Sequence, residues 1–183
     1  QFLPGIFGKD LRRIEMRKSY RNTVEISKFA NDILRHGDFA VYPVEPIIRH
    51  GAAVRVEKQP DATALLEETV HTIRKWQQDG YETIAVICRE EKEAAELAEQ
   101  LKSYMEIVDC NPGTTEFGDG VMVLSVVYTK GLEFDAVLLY DPTQKKYPAD
   151  NGHVKLLYVA ATRALHELVV LYHGNLSRIL TDP

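Results

Sequence analysis

The six residues Thr83 to Cys88, TIAVIC, form an unbroken apolar, mostly β-branched run. A strand that faces water on one side alternates polar and apolar positions, whereas a strand covered on both faces reads as a continuous apolar run. TIAVIC therefore predicts a central strand in a parallel sheet. Its flanks agree. Upstream, Asp61 is placed to cap a helix in which Leu65, Leu66, Val70, Ile73 and Trp76 recur at threes and fours until Gly80. Downstream, Glu91 to Ser103 repeats that spacing through Ala94, Leu97, Ala98 and Leu101.

Further out the alternation continues. Asn22 or Thr23 can cap a helix running to about Arg35, which Gly37 stops. Phe39 to Pro46 is Pro-rich and irregular, Ala53 to Val56 reads as a short strand, and Met105 to Cys110 as a weaker one. Val121 to Val127, Ala136 to Tyr140 and Leu168 to Tyr172 are apolar strands, with a helix over Gly152 to Ala164 and a short one over Leu176 to Leu180. Helices alternating with buried strands predict an α/β fold, a mostly parallel sheet with helices on both faces and right-handed crossovers. Residues 1–10 carry Pro4, Gly5 and Gly8 and read as a linker or the end of a preceding domain; 11–183 read as one domain. The first residue is Gln, so a piece of a longer chain is expected.

Composition narrows the function. A net charge of -5 is unlike that of domains that grip duplex DNA unaided. No apolar run reaches the ~20 residues that span a bilayer, so no membrane partner is expected. Cys88 and Cys110 lie in or beside strand-like segments and read as buried free thiols in a reducing cytoplasm. The six histidines show no ligand spacing, so no metal site is expected within the chain.

Three segments interrupt the pattern with charge. In SVVYTKGLEFDAVLLY, Ser125 to Tyr140, the run Lys130-Gly131-Leu132-Glu133-Phe134 separates two apolar stretches. Gly131 permits a close backbone approach that a Cβ would block, and Glu133 beside it can accept hydrogen bonds from ribose hydroxyls. Ligands of parallel sheets bind at carboxyl ends of strands, and Lys130 to Glu133 is expected at that end of the Val121 strand. In LYVAATRALHELVVL, Leu157 to Leu171, Arg163 ends a helical pattern just before a strand. Ser19-Tyr20-Arg21-Asn22 precedes a helix N-terminus, a place that attracts phosphate. Singly, each has a plain alternative: a water-facing turn, an exposed Arg163–Glu167 pair worth ~0.3–0.5 kcal/mol, and a boundary turn. Together, two arginines, a carboxylate and a ring suit the phosphates, ribose and base of a nucleoside triphosphate.

The three segments, in this order and spacing, resemble the second RecA-like domain of superfamily 1 helicases of the UvrD/Rep/PcrA type. In those families motif IV reads like NYR, motif V like a threonine and a histidine followed by KGLEF, and motif VI like YVALTRA. Here they stand as SYR (Ser19 to Arg21), SVVYTKGLEF (Ser125 to Phe134) and YVAATRA (Tyr158 to Ala164). The resemblance covers Leu11 to Leu171. It implies a RecA-like, P-loop NTPase-type sheet and an ATP-dependent DNA helicase. It also implies that Tyr20 stacks on adenine, Arg21 and Arg163 act as arginine fingers on the γ-phosphate, Glu133 holds the ribose and Gly131 offers its backbone near the phosphates. Ser125, Thr129 and Lys130 are the candidates it leaves for contact with single-stranded DNA.

Two departures matter. Ser125 stands for the usual threonine and Val127 for the histidine, and Met105 to Gly120 leaves no room for the large accessory subdomain, called 2B, inserted before motif V. Both traits resemble the HelD (helicase-IV-like) branch, which is associated with RNA polymerase and removes it from nucleic acid with ATP. The other half of the site is missing. Gly5-Ile6-Phe7-Gly8-Lys9-Asp10 is too short and lacks the hydroxyl of a phosphate loop, and no Asp-Glu pair follows an apolar strand. ATP with Mg2+ is therefore expected to be shared with an N-terminal RecA-like domain of the same chain, and this portion alone is expected to be inactive.

Overall fold

The computed structural model describes residues 22–40, 49–108 and 119–181. In chain order the elements are α1 (Val24–Leu34), β1 (Arg55–Lys58), α2 (Ala62–Gln78), β2 (Thr83–Cys88), α3 (Glu91–Leu101), β3 (Gly120–Ser125), β4 (Phe134–Tyr140), α4 (Asn151–Ala161) and β5 (Ala164–Tyr172). The strands form one sheet in the order β1-β5-β4-β2-β3, and every pairing is parallel.

TIAVIC lies inside that sheet, with β3 on one side and β4 on the other. Its alternate side chains serve two different cores. Ala85 and Ile87 pack with Ile26, Ala30 and Ile33 of α1 and Val154 and Leu157 of α4. Ile84 and Val86 pack with Leu65, Ile73 and Trp76 of α2 and Leu97 and Leu101 of α3. No position from Ile84 to Cys88 is left for water, hence the absence of alternation. Each large side chain so buried contributes roughly 1.5–3 kcal/mol.

Helix starts follow local chemistry. Thr23 caps α1, its hydroxyl accepting from the Ile26 amide at 3.2 Å, and Asp61 caps α2 by accepting from Ala64 at 2.8 Å. Asp150 does the same for α4 through the His153 amide at 2.9 Å.

Boundaries moved where tertiary bonds overrule the pattern. The valines after Ser125 read as continuing strand, yet Val126–Tyr128 is a 3₁₀ turn, because the Ser125 hydroxyl caps it by accepting from the Val127 amide at 3.4 Å. α4 stops at Ala161, not Ala164, because Ala164 already pairs with Phe134 in the sheet. β1 lies two residues later than expected, where it meets Val169–Tyr172 of β5. Of the weak strand at Met105, only an isolated bridge from Ile107 to Val121 forms among the described residues. Cys88 is buried and free, and burial pushes its thiol pKa well up; Cys110 and the 1–10 linker lie outside the described residues. Among the described residues no helix is long and apolar enough to cross a membrane.

Candidate functional site

Glu133 and Arg163 occupy equivalent places: each is the residue immediately before a strand, β4 and β5 respectively. The Phe134 amide donates to the Arg163 carbonyl at 2.9 Å, so the two junctions are stitched together. This corrects the expected location. The carboxyl end of β3 is Ser125, and by Glu133 the chain has crossed back to the amino end of the sheet. The eight-residue connection passes through the 3₁₀ turn and then a tight turn in which the Leu132 amide donates to Thr129 at 2.9 Å. Gly131 sits in it with φ +84, a conformation costly for a residue with a Cβ, and an added Cβ there would point into open space.

Arg163 is half-buried and oriented by its own helix end. Its Nε donates to the Val159 carbonyl at 3.0 Å and its Nη2 to the Thr162 hydroxyl at 3.3 Å. The rest of its fork has no partner among the described residues. Burial lowers its pKa from the ordinary value, and the charge of Glu133, then Tyr158, opposes that shift. An arginine remains cationic under such conditions. The alternative pairing with Glu167 is not what forms: Glu167 is buried and accepts from the Tyr81 hydroxyl at 3.3 Å.

Tyr20 and Arg21 lie outside the described residues. The next residue, Asn22, is informative. It is 8 % exposed, and its side-chain amide donates to the Thr162 carbonyl at 3.1 Å and the Ala164 carbonyl at 2.6 Å. Those carbonyls flank Arg163. The chain leaving Ser19-Tyr20-Arg21 is thus fixed to the Arg163 turn from the far end of the sequence. Spacing alone offered Asn22 only as a helix cap, a task Thr23 performs instead.

The same edge is reinforced by residues the sequence did not single out. Arg49 donates to the Leu165 carbonyl at 2.6 Å and to His166 Nδ1 at 2.8 Å. Asp135 Oδ2 accepts from the amides of Glu82 and Thr83 at 2.9 and 3.2 Å. The His166 ring stacks on Tyr81 with centroids 5.8 Å apart. Between these groups lies a cleft of about 620 Å3, open to solvent and lined by Thr23, Arg49, Tyr81, Asp135 and His166 among others. Contacts between residues well separated in sequence create it, so no local spacing announces it.

The nucleic-acid candidates divide. Ser125 and Thr129 are buried, and their hydroxyls donate inward, to the Arg89 carbonyl at 3.2 Å and the Val126 carbonyl at 2.7 Å. Lys130 is exposed, as are Val127 at 55 % and Tyr128 at 43 %. The Tyr128 hydroxyl donates to Glu91 at 3.2 Å.

The carboxyl end of the sheet holds a closed ion network. Lys146 pairs with Glu93 at the start of α3 and with Asp141 after β4, the latter at 3.0 Å. Asp141 Oδ1 also accepts from the His173 amide after β5 at 3.1 Å. Asp141 has φ +52, a left-handed conformation that Asp tolerates better than most residues. Burial alone would lower the Lys146 pKa, but the bonds to Glu93 and Asp141 outweigh it and raise it. Among the described residues no cluster of three His, Cys, Asp or Glu could hold a metal.

Comparison with known proteins points the same way as the motifs. Residues 120–171 match the family described as UvrD-like helicase C-terminal domain, a stretch that starts with β3 and includes both Glu133 and Arg163. The fold is similar to the crystal structure of the C-terminal domain of a possible DNA helicase from Lactobacillus plantarum WCFS1. The TM-score is 0.72 at 26% sequence identity, covering 88% of this chain and 91% of that one. No curated protein matches the chain.

Proposed function

We propose that this chain is the second motor domain of an ATP-dependent DNA helicase or translocase, and that its amino-terminal sheet edge closes an ATP site shared with a RecA-like domain carrying a phosphate loop. The observation that carries the reading is the pair of Asn22 bonds to the carbonyls either side of Arg163, with Glu133 at the adjoining junction. They join three sequence segments at one place. The residues fit a nucleotide: a half-buried guanidinium with donors free among the described residues, a carboxylate beside it, and an open glycine turn. Arg163 and Arg21 would bind the γ-phosphate, Glu133 the ribose hydroxyls and Tyr20 the base, while magnesium would be held by the other domain. ATP supplies the phosphoryl group whose transfer to water drives the cycle. What this chain adds is fixed positive charge: a finger oriented before nucleotide arrives costs no reorganisation at the moment of reaction.

The test is ATP turnover by the full-length protein. Arg163→Ala and Arg21→Ala are each expected to lower kcat about a thousandfold, the usual worth of an arginine finger. Residues 1–183 alone are expected to show no turnover. Wild-type kcat in Arg163→Ala would overturn the reading.

A second use of the same motor is favoured by one observation. Where motif V is expected to meet a DNA strand, Val127 and Tyr128 are exposed alongside Lys130, and the Tyr128 hydroxyl is bonded to Glu91. Apolar side chains beside carboxylates suit a protein surface better than a phosphate backbone. That arrangement supports a HelD-like factor releasing RNA polymerase from nucleic acid without unwinding duplex. Strand displacement on a tailed duplex, set against co-purification with RNA polymerase, separates the two.

A further inference from the structure

We infer that Asn22 is a positioning residue that sets the Arg163 finger; this rests on the nucleotide reading above. Thr162 and Ala164 bracket the residue whose side chain must be aimed. A helix end leaves its last carbonyls without intrahelical partners, and in this fold Thr162 closes α4 while Ala164 opens β5. One side-chain amide has two N–H groups, and Asn22 spends both, one on each side of Arg163. The contact spans 140 and 142 residues of sequence, so it serves no local turn.

The remaining bonds hold the same frame. The Phe134 amide takes the Arg163 carbonyl, and Arg49 takes that of Leu165. Thr162 to Ala164 and Leu165 thus have every carbonyl bound by a long-range donor. Arg163 can then swing only through its side chain, which Val159 and Thr162 restrain. Serine, with one donor, can reach one carbonyl at most, so an amide side chain is the group this double contact requires.

The experiment is a double-mutant cycle on the full-length protein, read as single turnovers of ATP at excess enzyme so that slow variants stay measurable. Asn22→Ala is expected to lower the rate at saturating ATP at least about tenfold while leaving half-saturation within about twofold. In an Arg163→Ala background the same change is expected to cost less than about twofold, since a positioning residue has nothing left to position. An equal cost in both backgrounds would make Asn22 merely structural and overturn the inference. So would an unchanged rate in Asn22→Ala while Arg163→Ala is slow. An unchanged rate in Arg163→Ala itself would instead sink the nucleotide reading. Thermal melts accompany each variant; if Asn22→Ala is unfolded at the assay temperature, Asn22→Ser takes its place in the cycle under the same criteria.

Discussion

The two ends of the sheet solve opposite problems. At the carboxyl end, Lys146 is shared between Glu93 and Asp141, and the His173 amide donates to Asp141. At the amino end, the polar side chains Asn22, Arg49 and Asp135 are spent mainly on backbone groups, and among the described residues Arg163 keeps donors to spare. Open parallel sheets usually bind ligands at their carboxyl ends. Here that end is filled by the protein's own ions, and the groups suited to a nucleotide stand at the other. On the proposed reading, a general rule of topology gives way to which junctions carry unspent charge.

The sharpest way to break this contrast is Lys146→Met. It leaves two carboxylates facing each other with no cation in a site where the lysine side chain is 28% exposed. Removing one partner of a poorly solvated pair is costly, and about 2–3 kcal/mol of stability should be lost in chemical denaturation. Nucleotide affinity should not change. The pH dependence follows from the raised pKa of the lysine. A cation whose folded pKa lies above its unfolded one contributes fully below the unfolded value and loses that contribution as pH rises through the folded one. The stability gap between wild type and variant should therefore narrow as pH rises above the ordinary lysine value of 10.5. Weakened nucleotide binding in Lys146→Met would show that the carboxyl end is not merely structural.

Much of this was legible beforehand. TIAVIC announced a strand buried on both faces, and Asp61 and Thr23 announced their helices, because cap chemistry and burial act through near neighbours. Gly131, Glu133 and Arg163 stood out because each breaks an apolar pattern at a junction. The end of the sheet at which they lie was not legible. Val126 and Val127 carry the composition of a strand, and only the Ser125 cap and the Thr129 turn reveal that the chain has begun to cross back. Asn22, Arg49 and Asp135 were silent for a related reason. Their backbone partners are more than fifty residues away, and an Asn before a helix signals a cap whether or not it makes one.

Asp135→Ala tests the amino-end frame with a smaller effect. The carboxylate accepts from two backbone amides and lies 3.6 Å from His166 Nε2. An orphaned partly buried amide costs about 1–3 kcal/mol, but water can reach Glu82, so a loss of about 1–2 kcal/mol is expected. Turnover of the full-length protein should fall less than for Asn22→Ala, because Asp135 aligns β2 with β4 without touching the Arg163 turn. A larger fall would mean that the frame, and not the single amide, sets the finger.

The smallest effect is expected at Glu25, where the amino end is tied to the segment leading to β1. Its Oε1 accepts from the Gly51 amide at 2.9 Å and its Oε2 lies 2.9 Å from His50 Nδ1. The His50 hydrogen bond, then that of Gly51, lowers the carboxyl pKa from 4.5 to about 2. A carboxylate with a depressed folded pKa contributes stability above its unfolded value and loses it as pH falls toward the folded one. Glu25→Gln should therefore be slightly less stable than wild type at neutral pH, with the difference shrinking as pH drops from 4.5 toward 2. A parallel offset at all pH values would mean that Gly51 is held by shape alone. Thr23 makes that a real alternative, since its Cγ2 would lie 2.6 Å from any Cβ added at Gly51. The pH series separates charge from contact at the one point where the α1 cap and the cleft meet.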